Sequence, residues 1–367
     1  MKPMMAQRIV FAFPGELDTP TGGYIYDRRI IGGLRERGWQ VDLLSLGAGF
    51  PFPSHETVSQ ANELLKAIPI GRLVVMDGLA LGVLPEAVAT LAHDHTVVAL
   101  IHHPLAFESG LSAGQAEAFR LSESRALTHA SHVIVTGPST ARDLVRTFGV
   151  PAESIDVVCP GTARAPLSQG SGSETLHLLS VGSVTPRKGF DVLLAALQPL
   201  AELPWTLTIA GDLTRDERSG AQLKQDIVRF GFQKRVHALG VVDEDQLDRL
   251  YQSADVFVLA SLFEGYGMAY AEALARGLPV IGTTGGAIPD TVPEGAGLLV
   301  PPGDVGSLTT ALRKVIQDGD CRMRLSQGAR VAAEQQPTWE QSVERFQAIL
   351  TRCMSRSQSN NTSLPSR

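Results

Sequence analysis

The 367-residue sequence has little of several things, and each shortage excludes a class of protein. Cysteine occurs three times, at Cys159, Cys321 and Cys353, with neither an even count nor metal-ligand spacing. That argues against a disulfide framework and points to a reducing compartment. Positive charge is also short: 32 Lys and Arg face 38 Asp and Glu, a formal net charge of −6. Nucleic-acid binding without sequence preference is mostly cationic, so no such partner is expected. No apolar run approaches the ~20 residues that a helix needs to span a bilayer. The run at 9–13 is too short for a signal-peptide core and stops at Pro14-Gly15. The expectation is a soluble, cytoplasmic protein. The fingerprint G-x-G-x-x-G is missing from the first strand–helix turn, which argues against an NAD enzyme.

What is present is α/β material, in a length that suits two domains. Apolar strands are expected at 8–13, 41–46, 73–76, 97–101, 131–136 and 157–158. Helices alternate with them, at about 26–37 (closed by Gly38), 117–129 and 139–148, the last capped by Ser139. Strand, glycine loop (Gly22-Gly23), helix and strand make a parallel βαβ unit. After Pro160 the stretch GTARAPLSQGSGSE has the composition of a linker. The boundary falls within it, giving one domain over 1–165 and a second over 174–339. The second restarts with a strand at 176–181 and continues with strands at 205–210 and 236–241. A final helix at about 340–353 is expected to pack back on the first domain, with Trp339 as an anchor. The polar end, 354–367, is expected to be disordered.

The chain is organised around SLFEGYGMAYAEALARGLPVIGTTGGAIPD, residues 261–290. The loop Glu264-Gly265-Tyr266-Gly267 allows close approach of a ligand to the backbone. The helix expected over 267–276, with Met268 in its first turn, aims free N–H groups and about +0.5 charge at that loop. It is apolar almost all round except for Glu272. A buried carboxylate needs a partner. Glu272 either pairs with Arg276 four residues on or faces a ligand hydroxyl.

Glu264 and Glu272 are separated by seven residues with glycine–aromatic–glycine between them. With E-A-L-A-x-G-x-P-V-I following, this resembles the E-x7-E signature of the retaining GT-B glycosyltransferases of family 4 (glycosyl transferases group 1). The turn at 182–189, ending Arg187-Lys188-Gly189, resembles that family's V-G-x-x-x-x-x-K-G. The resemblance implies a GT-B fold, two Rossmann-like domains facing each other across a cleft. It implies a nucleoside-diphosphate sugar as donor substrate, with no other cofactor, and a sugar, lipid-linked or small-molecule acceptor. By resemblance Glu272 binds ribose hydroxyls, Glu264 a donor-sugar hydroxyl, and Arg187 and Lys188 the diphosphate, with backbone N–H groups of Tyr266, Gly267 and Met268; Gly265 belongs to the same donor-binding loop. Val241 lies in the loop that lines the base. Gly22, Gly23, His102 and His103 belong to the acceptor side, and His103 is favoured over His102 for the reacting centre. Many family members carry arginine where this chain has Ser183; that is a departure, and Arg187 is the residue expected to take over the contact.

No metal is expected. Asp243-Glu244-Asp245 spells D-x-D, but Asp243 precedes a helical pattern and reads as its N-cap. Arg28, Arg29, Arg35 and Arg37 make one basic helix, either a solvated face or a peripheral contact with anionic lipid. Two other classes share this fold: a non-hydrolysing nucleotide-sugar epimerase, and a catalytically silent partner subunit.

Overall fold

The computed structural model describes residues 7–362, with side chains as far as Arg356. In chain order the first half runs β1 (Arg8–Phe13), α1 (Gly22–Glu36), β2 (Gln40–Ser45), α2 (His55–Lys66), β3 (Leu73–Asp77) and α3 (Gly78–Leu81). It continues with α4 (Pro85–Asp94), β4 (Thr96–Ile101), α5 (Ala113–Leu127), β5 (His132–Val135), α6 (Pro138–Phe148) and β6 (Ile155–Val157). The second half runs β7 (Leu176–Val181), α7 (Phe190–Leu197), β8 (Trp205–Ala210), α8 (Glu217–Arg229), β9 (Val236–Gly240), α9 (Glu244–Ser253) and β10 (Val256–Val258). Next come α10 (Met268–Ala275), β11 (Val280–Thr283), α11 (Ile288–Thr291), β12 (Gly297–Val300), α12 (Val305–Gln317) and α13 (Gly319–Gln335). The chain ends in α14 (Trp339–Thr362).

Two compact units result, one from Met1–Gly161 with Pro337–Arg367, the other from Thr162–Gln336. Each holds one six-stranded sheet, ordered β2-β1-β3-β4-β5-β6 and β12-β11-β10-β7-β8-β9, and the pairings are parallel. Parallel strands need crossovers, and the helices supply them, covering both faces. In β1, for example, Val10 and Ala12 join one apolar cluster with Met76, Leu81 and Val135. Ile9, Phe11 and Phe13 alternate to the other face, against Ile30, Leu34 and, from α14, Phe346 and Leu350. The helix α14 lies close on α1, for a methyl at Gly33 would sit 2.5 Å from Val343.

Several sequence expectations are corrected. The first helix starts at Gly22 rather than about residue 26, because the Thr21 hydroxyl accepts the N–H of Tyr24 and caps it there. The glycine pair is therefore a first helical turn and not a loop. The helix at α6 has Gly137, not Ser139, at its cap, and Pro138 opens it without a side-chain bond. The helix α5 begins at Ala113, four residues before the expected start, behind a Ser112–Gln115 capping box. The linker-like stretch is tied down: Ser168 N–H donates to Arg276, its hydroxyl lies 2.6 Å from the Ala254 carbonyl, and Ser171 N–H donates to Asp255. The chain is helical from 354 to 362, where disorder is expected, and 363–367 lie outside the described residues.

Candidate functional site

In the second unit the site grows from two loops at the carboxyl ends of parallel strands, where open α/β sheets place ligands. The loop after β7 makes a short 3-10 turn, Pro186–Lys188, and reverses at Gly189 with φ +63°. A Cβ there would stand 2.2 Å from the Ala260 carbonyl oxygen, so only glycine admits this approach. The approach sets Lys188 and Arg187 against the loop after β10. The Arg187 carbonyl takes the Leu262 N–H at 2.7 Å.

Glu264 lies at the meeting point. Its Oε1 accepts from Lys188 Nζ at 2.6 Å and from the Ser261 hydroxyl at 2.7 Å, and its Oε2 accepts from Arg187 Nη1 at 2.8 Å. The three side chains are 8%, 15% and 22% exposed. Behind Glu264, Gly286 at φ +62° leaves room for the Glu264 carbonyl, which accepts from Ala287 N–H at 2.8 Å. Burial alone would raise the Glu264 carboxyl. The charges of Lys188 and Arg187, with hydrogen bonds from Lys188 and Ser261, reverse this and hold it well below the usual carboxylate range.

The sign of the linkage follows. A depressed carboxyl gives stability that is present above its ordinary value of 4.5 and withdrawn as pH falls toward the folded value. Acid titration of unfolding should therefore show a steeper loss below that pH for the native chain than for Glu264→Gln. Parallel curves would mean that this carboxylate is not held by its two cations.

Gly267, φ +91°, stands at the N-cap of α10, where no side chain caps the helix. Its N-terminal dipole and amides therefore face the Gly265–Met268 loop without an internal counter-group from a cap. Within α10, Glu272 Oε2 accepts from the Tyr251 hydroxyl at 3.0 Å. Burial raises the Glu272 carboxyl, with the Tyr251 bond and the Arg276 charge opposing. Arg276 does not form the carboxylate pair considered from sequence. Its guanidinium donates to Asp248, covers the Tyr251 ring at 4.4 Å and, at Glu272, donates to the backbone carbonyl at 3.1 Å. Val241, just past β9, is 65% exposed, an uncovered apolar side chain at a strand end. Asp243 caps α9, accepting the Gln246 N–H at 2.7 Å.

In the first unit the loop after β4 carries the two histidines. His102 Nε2 stands 3.2 Å from Asp27 of α1 and 3.7 Å from Asp77 at the end of β3. Its ring packs edge-on to Tyr26, and a Cβ on Gly23 would meet it at 3.3 Å, so the glycine brings α1 onto the histidine. Burial lowers the His102 imidazolium, but Asp27, by charge and hydrogen bond, and Asp77 outweigh it and leave it raised. His103 Nε2 stands 3.0 Å from Glu108. The loop is anchored by Glu123 of α5, whose oxygens accept the N–H groups of Leu105 and Ala106 at 2.8 and 3.1 Å. Burial pushes the Glu123 carboxyl up to about 7 against those two bonds. The basic helix α1 is largely engaged within this unit. Arg28 donates to the Leu17 and Thr19 carbonyls, Arg35 to the Val41 carbonyl and Arg37 to the Glu340 carbonyl.

Sequence reasoning missed Ser261, Tyr251, Asp27, Asp77 and Glu123. For Asp27 a signal was present: it shares a helix face with Ile30, Ile31 and Leu34, three, four and seven residues on. A carboxylate in such a stripe needs a partner, as Glu272 does.

Both units were compared with known proteins. Residues 175–318 match the model of the glycosyl transferases group 1, and residues 72–161 that of the glycosyl transferase 4-like domain. The chain is 26% identical over 328 residues to an MMP alpha-(1->4)-mannosyltransferase of Mycolicibacterium hassiacum, covering 84% of this chain and 77% of that one. It is 26% identical to a mannosylfructose-phosphate synthase of Agrobacterium fabrum over 59% of this chain and 52% of that one. The chain thus spans only about half the length of the second relative. Among solved structures, sucrose-phosphate synthase of Thermosynechococcus elongatus superposes with a TM-score of 0.80 at 21% identity, over 95% of this chain and 100% of that one. Anabaena HepE, solved with UDP and glucose, superposes with a TM-score of 0.70 at 19% identity, over 93% and 99%. Among the described residues no helix is long and apolar enough to cross a membrane. With both halves matched and the two parallel sheets in place, the chain belongs to the glycosyl transferases group 1 and has the GT-B fold.

Proposed function

We propose that the protein is a retaining glycosyltransferase that moves a sugar from a nucleoside-diphosphate sugar to an acceptor hydroxyl. The observation that carries this reading is the joining of Arg187, Lys188 and Glu264 beside the uncapped start of α10. Two cations and a helix N-terminus suit a diphosphate, and no metal is required to balance its charge. As the donor enters, its phosphates take over the two cations, and Glu264 turns a freed oxygen to a hydroxyl of the donor sugar. Glu272, steadied by Tyr251, accepts from the ribose hydroxyls, and Val241 lies along the base. That HepE was solved with UDP and glucose supports this class of donor.

The bond between the sugar's anomeric carbon and the diphosphate breaks, and a bond to the acceptor oxygen forms on the same face. The acceptor proton passes to the leaving phosphate, and no protein nucleophile takes part. Gly22 and Gly23, with the histidine loop, receive the acceptor on the first unit. His102 fits the reacting centre better than His103, because two acids and the first turn of α1 hold its ring.

The test is thermal stability of the purified protein with UDP, GDP, ADP and their sugars, with NAD as control. Selective stabilisation by one nucleoside diphosphate is expected. A folded protein that none of them stabilises would favour the silent-partner reading, and conversion of a nucleotide sugar without acceptor would favour the epimerase. Glu272→Ala should weaken nucleotide binding about 10-fold or more, as loss of a hydrogen bond to a charged group does, with a smaller change in kcat. Calorimetry showing equal affinity would leave Glu272 a purely structural partner of Tyr251.

A further inference from the structure

The group Asp27, Asp77 and His102 holds more than the transferase reading uses. One oxygen from each carboxylate and one imidazole nitrogen lie within 4.8 Å of one another. Asp27 is fully buried and Asp77 is 3% exposed. Asp77 Oδ1 already accepts the Leu79 N–H at 2.7 Å, and Asp27 Oδ1 faces His102 Nε2 at 3.2 Å. Asp27 Oδ2 is buried with no hydrogen-bond partner. Two buried carboxylates therefore converge on one ring nitrogen, which has a single proton to offer both. Carboxylates sharing a site do not both ionise readily, and an unsatisfied buried anion is costly.

We infer that Asp27 and Asp77 share one proton, and that this acid pair fixes the Nε2 edge of His102, leaving Nδ1 as the edge offered to substrate. The shared proton supplies the donor that the inventory lacks and leaves the pair one net negative charge facing the imidazole. The titration trend agrees: burial first, then the charge of Asp27, pushes the Asp77 carboxyl up to about 7, while His102 pulls the other way. Among the described residues, the titratable groups facing the pair include His102 from the loop after β4 and Tyr26 beside Asp27 on α1, with Cys159 beside Tyr26. The Tyr26 hydroxyl donates to the Val158 carbonyl at 3.0 Å and does not supply the missing proton. A cation would occupy the same space, and three protein ligands with a water make an open zinc site, so metal binding is the competing outcome that the experiment separates.

Asp27 and Asp77 are thus positioning residues. Their use in catalysis rests on the proposed role of His102, but their shared proton does not. The experiment follows the ring nitrogens of His102 by NMR of 15N-histidine-labelled protein across neutral pH, with His102→Ala to assign the signal. In the native chain His102 should titrate in two coupled steps, one of them reporting the acid pair. Asp27→Asn and Asp77→Asn should each reduce this to one step, because an amide cannot share the proton. Should Asp27→Asn fail to fold, Asp77→Asn gives the same readout. A single step untouched by either substitution would overturn the inference. So would a stoichiometric bound metal whose chelation alone changes the titration. No donor or acceptor is needed, so this failure is distinct from failure of the transferase reading.

Discussion

Lys188→Ala is expected to lower kcat by about 10²–10³, the usual loss when one stabilising charge is removed from a developing anion. The cation is 15% exposed and sits 2.6 Å from Glu264, so its position is fixed before any donor arrives. Stability should change far less than rate, because Glu264 keeps Arg187 and the Ser261 hydroxyl as donors. Initial rates at saturating donor and acceptor, paired with Tm, separate the two effects. An unchanged rate in a folded variant would take Lys188 out of the site.

The second large effect falls on stability. Glu264→Ala leaves Arg187 and Lys188 facing each other without their shared carboxylate. Breaking a buried ion pair from one side destabilises by about 3 kcal/mol or more. We expect the low end, since the two cations keep 22% and 15% of their side-chain exposure. A nucleoside diphosphate should then raise Tm by more in the variant than in the native chain, because its phosphates supply the missing charge. A variant as stable as the native chain without ligand would show that the carboxylate is not needed to hold the two cations together. Equal ligand shifts in both proteins would place the diphosphate elsewhere.

Both predictions depend on a contact that the sequence did not reveal. The strand series was legible because apolar runs bounded by glycine and proline leave few alternatives in a parallel sheet. The helix carrying Glu272 was legible from Met, Ala and Leu between Gly267 and Gly277. The basic pair and Glu264 were each read as ligands of a donor, and the structure has them bonded to one another across more than seventy residues of chain. No local pattern reports such a pairing; it comes from the order of strands, which sets β7 beside β10. The glycine pair was misread for a local reason. Glycine is a poor helix former, yet Thr21 caps the chain before it, and a Cβ at position 23 would press on the His102 ring at 3.3 Å. Asp77 ends its strand at the carboxyl end of the sheet, where ligands bind, a cue that was available and not used.

The division of the first unit between two stretches of chain bears on how the protein is made. Its core needs Phe346, Ile349 and Leu350 from α14 to cover Ile30 and Leu34. During synthesis, residues 7–161 emerge with that face bare, and the whole of the second unit is translated before the cover arrives. The second unit, continuous from Thr162 to Gln336, can close first. Of the two units, the one whose synthesis begins earlier is thus finished later, and in the interval its exposed apolar face is a target for chaperones and a risk for aggregation.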